Sequence, residues 1–65
     1  MNLAERLKDR HSSFGVCSPA QITSVISEAR TLVKQYEQDW NALVTKFIFS
    51  DGSKLNVYGP FLEVE

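Results

Sequence analysis

His11 and Cys17 are the one pair in this chain with the residue types of a base and a nucleophile. They flank the loop "HSSFGVC", and Cys17 stands where a helix begins, a position at which backbone dipoles favour the thiolate. A competing reading makes Cys17 a packing residue at the helix entrance and His11 a surface imidazole. The second is preferred, because the neighbours that would pack Cys17 would also shield it. A single Cys and a single His form no internal disulfide and complete no structural zinc site. No metal or other cofactor is therefore expected, and an enzyme built on Cys17 ranks last among the functional readings.

The remaining chemistry-bearing residues are as sparse. Glu28, Glu37, Asp39, Glu63 and Glu65 show no spacing that would pair two carboxylates on one face, and they read as solvated. Asp51-Gly52-Ser53 has the residues of a turn; as a cation or phosphate loop it would need further ligands. The run "ERLKDRH" supplies Arg6, Lys8, Arg10 and His11, which could meet phosphates. Glu5 and Asp9 are interleaved, however, and no second helix follows at helix-turn-helix spacing. A ribbon-helix-helix reading fails as well, since there the strand comes first.

Sixty-five residues make one small domain, whose core is marginal at this size. Apolar residues at 43% and charged residues at 23% are those of a folded chain rather than a disordered one. Residues 1–34 carry five basic and three acidic groups, and residues 35–65 two and five, a mild dipole within a net charge of −1. That balance argues against general nucleic-acid binding. No apolar run is long enough for a membrane span. The polar start "MNLAERLKDR" is not a secretory signal. A cytoplasmic, reducing setting is expected.

The elements that must position these residues can be read in order. Residues 2–11 form a short helix, with Asn2 as cap and Glu5 three positions on. Ser18-Pro19 and Gln21 give a capping box with Pro in the first turn, and Cys17 and Ile22 occupy the two ends of a hydrophobic staple. Apolar residues then recur at Ile22, Val25, Ile26, Ala29, Leu32, Val33, Tyr36, Trp40, Leu43 and Val44. The spacing of three and four predicts one long amphipathic helix over 19–43. Ser24, Ser27 and Thr31, with Gln38 and Asn41, mark its polar side, a face either solvated or kept for an interface.

Residues 45–58 form a hairpin. A two-residue Asp-Gly turn would set Phe47 against Asn56 and Phe49 against Lys54. A type I turn with Gly52 as a left-handed bulge instead pairs Phe47 with Leu55 and Thr45 with Val57. The second register buries Phe47, Phe49, Leu55 and Val57 together and is adopted. Lys46, Ile48, Lys54, Asn56 and Tyr58 then share the outer face. Residues 61–65 alternate as a third, edge strand.

The fold class expected is α+β: short helix, long helix, and an antiparallel hairpin with an edge strand on one side. Leu3, Leu7, Phe14 and Val16 would cover the start of the long helix. That cover is thin, and a symmetric homodimer is expected to complete it. The leading functional expectation is a small non-enzymatic regulator or inhibitor that binds another protein through Ile48, Tyr58, Phe61, Lys46 and Asn56. Size and charge associate such chains with accessory proteins of phages and other mobile elements, an association rather than a derivation. The alternative is a DNA-binding accessory regulator, using Arg6, Lys8 and Arg10 on the first helix of each protomer.

Overall fold

A computed structural model describes residues 2–65 as an α+β unit of two helices and one four-stranded antiparallel sheet. The elements are α1 (Leu3–Ser12), α2 (Pro19–Leu32), β1 (Val33–Asp39), β2 (Val44–Phe49), β3 (Lys54–Tyr58) and β4 (Phe61–Val64). The strands lie side by side in chain order. Among the described residues no helix is long and apolar enough to cross a membrane.

The helix starts follow from local sequence. Asn2 accepts from the Glu5 amide at 2.8 Å. Ser18 accepts from the Gln21 amide, while the Gln21 side chain accepts from the Ser18 amide at 2.7 Å. The Asp51 turn adds something the spacing did not announce. Asp51 accepts from the Leu3 amide at 2.9 Å, and Ser53 Oγ accepts from the Ala4 amide at 3.1 Å. The hairpin turn thus supplies caps for two of the donors that α1 leaves unsatisfied at its start.

The β2–β3 hairpin has the bulged register: Phe47 faces Leu55 and Thr45 faces Val57. The Gly52 amide donates to the Phe49 carbonyl at 3.0 Å, and Gly52 takes the left-handed φ of 86° that the bulge requires. Phe47, Phe49, Leu55 and Val57 accordingly point to the helices and are buried, with Ala4 and Leu7 of α1, Val25 and Ala29 of α2, Cys17 and Leu62. Burying one such Phe or Leu side chain contributes about 1.5–3 kcal/mol, so this one cluster accounts for most of what holds the two layers together.

The long helix over 19–43 is not formed. α2 ends at Leu32, Val33 is already extended (φ −74°, ψ 140°), and residues 33–39 pair along β2. No Gly or Pro stops the helix; the cause is tertiary. Tyr36 pairs with Phe47, Glu37 with Lys46 and Gln38 with Thr45, and these bonds satisfy the backbone edge of β2 that a continuing helix would leave open. A bulge lies between Val33 and Gln35. The chain then turns through residues 40–43, with Asp39 accepting from the Asn41 and Ala42 amides at 3.0 and 3.1 Å and Leu43 at φ 55°.

Two further expectations are corrected. Phe14 and Val16 do not cover α2: they are 93% and 55% exposed. Gly15 and Cys17 instead bond to the outer edge of β4, where the Leu62 amide donates to the Gly15 carbonyl and the Cys17 amide to the Pro60 carbonyl, both at 2.8 Å. Tyr36, Trp40 and Leu43 are exposed rather than core, because the helix that was to bury them stops short.

Candidate functional site

Both helices pack on the same side of the sheet, so among the described residues its other side carries no second layer. Strand alternation fixes what stands there. Lys46, Ile48, Lys54, Asn56 and Tyr58 are the outward residues of β2 and β3, and Phe61 joins them because it pairs directly with Tyr58. All five residues proposed from sequence as a binding surface, Ile48, Tyr58, Phe61, Lys46 and Asn56, therefore lie on one face. Val16 was missed. It forms an antiparallel bridge with Phe61 and so extends the apolar end of this face. The signal lay in "FGVC", where Gly15 leaves Val16 to alternate like a short strand.

The face divides into an apolar corner and a polar centre. In the corner the rings of Tyr58 and Phe61 lie 5.5 Å apart and remain 37% and 43% exposed. Around the corner, Pro19, Ile22, Gly59 and Pro60 line an apolar hollow of about 360 Å³. At the centre, Lys46 is paired with Asn56 across the strands and bridges Glu65 at 3.0 Å. A shallow cavity of about 310 Å³ opens there between Glu37, Asp39, Val44, Lys46 and Asn56. Asn56 Oδ1 is shielded from solvent and has no hydrogen-bond partner among the described residues.

The electrostatics bind the acidic stretch to this face. The Lys46 ammonium, helped by Asn56, holds the Glu65 carboxyl below its usual range. The Tyr58 hydroxyl donates to Glu63 at 3.1 Å, and that bond, together with the nearby negative charge, pushes the phenol upward. Glu63 therefore borders the apolar corner, and Glu65 closes the polar centre.

The other candidates are placed elsewhere or apart. His11 Nε2 lies 2.5 Å from Glu28 Oε2, and Arg10 reaches Glu28 Oε1 at 2.6 Å. Glu28, read from sequence as solvated, is thus the clasp between α1 and α2. Cys17 is 5% exposed, a packing residue at the start of α2. Of the three basic residues on α1, Lys8 is bonded to the Ser13 carbonyl at 2.9 Å and Arg10 is held by Glu28. At about 100° per residue Lys8 also points away from Arg6 and Arg10, so the three make no common surface. Ser24, Ser27 and Thr31 are exposed. No group of three or more possible metal ligands occurs among the described residues. Comparison with protein-family models, with curated proteins and with solved structures returns no match.

Proposed function

We propose that this chain is a non-enzymatic binding protein that regulates or blocks another protein by seating it on the helix-free side of the sheet. The supporting observation is the corner where Tyr58, Phe61 and Val16 come together, open to solvent and bordered by Glu63. Exposed aromatics clustered together beside a polar surface have the composition of an interface anchor. The matching partner surface is an apolar pocket flanked by basic groups. The DNA-binding alternative draws less support, since Lys8 and Arg10 are already engaged within the chain.

The test is site-specific photo-cross-linking in the cell, with the reactive side chain at Phe61 or Ile48 and, as control, at Ser27 on the exposed side of α2. The expected result is one discrete protein adduct from Phe61 and Ile48, absent from Ser27 and abolished by Tyr58→Asp. Adding the purified chain to that protein should then lower or alter its activity at stoichiometric ratio. No adduct from the sheet positions, or equal adducts from all three, would defeat the proposal.

A further inference from the structure

We infer that β1 is the seat of a second copy of this chain, added antiparallel across a two-fold axis so that two four-stranded sheets join into one. The inference stands apart from the proposed role of the outer face. An open strand edge offers backbone donors and acceptors to any extended chain, and this sheet has one such edge. At β4 the Gly15–Cys17 segment is already bonded alongside. β1 has a strand on one side only.

The surroundings of β1 are those of an interface left open. Tyr36 is 63% exposed, Trp40 77% and Leu43 69%. On the helix side, Ile26, Arg30, Tyr36, Trp40, Thr45 and Phe47 line a cleft of about 220 Å³, left where α2 ends short of the sheet's margin.

Charge selects the occupant. Lys34 stands at the start of β1 and Glu37 and Asp39 near its end, while Arg30 on α2 opens to the helix-side cleft. None of the four is in an ion pair among the described residues, where the pairs are Arg10–Glu28, His11–Glu28 and Lys46–Glu65. Antiparallel self-pairing lays the basic end of each copy along the acidic end of the other, twice by symmetry. An arbitrary extended peptide would satisfy the backbone but not this pattern.

Alternation then narrows the register, since residues opposite one another must share a face. Pairing centred on Tyr36 sets the outward Gln35 opposite the outward Glu37, and the bulge at Lys34 ends the strict alternation beyond them. It keeps strict alternation across residues 35–37 and opposes no like charges. A centre at Glu37 would set two carboxylates face to face, and a centre at Gln35 would put the bulge beside the axis. In the Tyr36 register the bulge between Val33 and Gln35 falls toward the ends. The two Tyr36 rings meet at the axis. An axis normal to the sheet leaves both outer faces on the same side, so the dimer would present two binding corners together.

The test is solution mass by light scattering over a dilution series for the wild type, Lys34→Glu, Glu37→Lys, their equimolar mixture, and Ser24→Glu as a surface control. Circular dichroism checks that each is folded, as the exposure of Lys34 and Glu37 leads one to expect. The wild type should pass from monomer to dimer, and the emission of Trp40, the one Trp in the chain, should shift to the blue at the same midpoint. Each charge reversal should weaken self-association about thirtyfold, the mixture should restore it, and Ser24→Glu should change nothing. A wild type that stays monomeric to roughly millimolar concentration, or a dimer indifferent to both reversals, would overturn the inference.

Discussion

The β2–β3 hairpin and the β1 segment are neighbours in one sheet, yet they are specified in opposite ways. In the hairpin every level agrees. Asp51-Gly52 has the residues of a bulged turn, the alternation of Phe47, Phe49, Leu55 and Val57 marks one face, and the register that buries them is the register formed. In residues 33–43 the levels conflict. Val33, Tyr36, Trp40 and Leu43 continue a helical spacing, while Gln35, Glu37 and Asp39 against Tyr36 and Gln38 alternate as a strand. Pairing with β2 decides between them. Local consistency produces a buried, self-sufficient element; local conflict produces one whose aromatics stay exposed.

The largest effect should separate the two regions by burial. Phe49→Ala, at a position 1% exposed, should cost about 3–5 kcal/mol, enough to unfold much of a domain this small. Phe14→Ala, at 93% exposed, should stay within about 0.5 kcal/mol. Urea denaturation of the pair checks both. A large loss from Phe14→Ala would mean that the Phe14 ring folds back onto the core.

Left-handed positions sharpen the contrast. Gly15 has φ 80°, and a Cβ there would lie 2.9 Å from the Leu62 carbonyl oxygen. Gly15→Ala should therefore cost about 2 kcal/mol or more, against about 1 kcal/mol for Gly52→Ala, where nothing stands within 4 Å. In the other region the left-handed residue is Leu43, at φ 55° and 69% exposed. Leu43→Gly should stabilise the chain by about 0.5–1 kcal/mol. A continuing helix at this position would instead be destabilised by about 1 kcal/mol, so the sign alone discriminates.

The smallest expected effect is one of pH. Ser53 and the Leu3 amide, bonded to Asp51, hold its carboxyl below the ordinary value of 3.8. A depressed folded pKa contributes stability that is present above the unfolded pKa and lost as pH falls through the folded one. Asp51→Asn should therefore lower the denaturation midpoint at pH 6, with the gap to wild type narrowing below about pH 4. A gap that does not change with pH would mean the carboxylate's charge is not what caps α1.

Legibility followed the same division. The two helix caps, the bulged turn, the edge strand at residues 61–65 and the outer face of Ile48, Tyr58, Phe61, Lys46 and Asn56 were readable, because short-range chemistry and period-two parity determine them. The end of α2 was not readable. It is set by pairing with β2, a separate element, and leaves no Gly or Pro signature. The Glu28 clasp and the docking of Gly15–Cys17 on β4 were hidden for the same reason, being contacts between elements rather than patterns within one. Val16 followed from neither helix nor hairpin reasoning, and it completes the exposed corner.

Residue-resolved amide hydrogen exchange across β1, at low and at high protein concentration, tests the central contrast most directly. Dilute protein should show protection at alternate amides of residues 35–39, those turned toward β2, with rapid exchange at the rest. At high concentration the second set should become protected as well. Unbroken protection running from Leu32 through residue 43 at both concentrations would indicate a continuous helix and contradict the account.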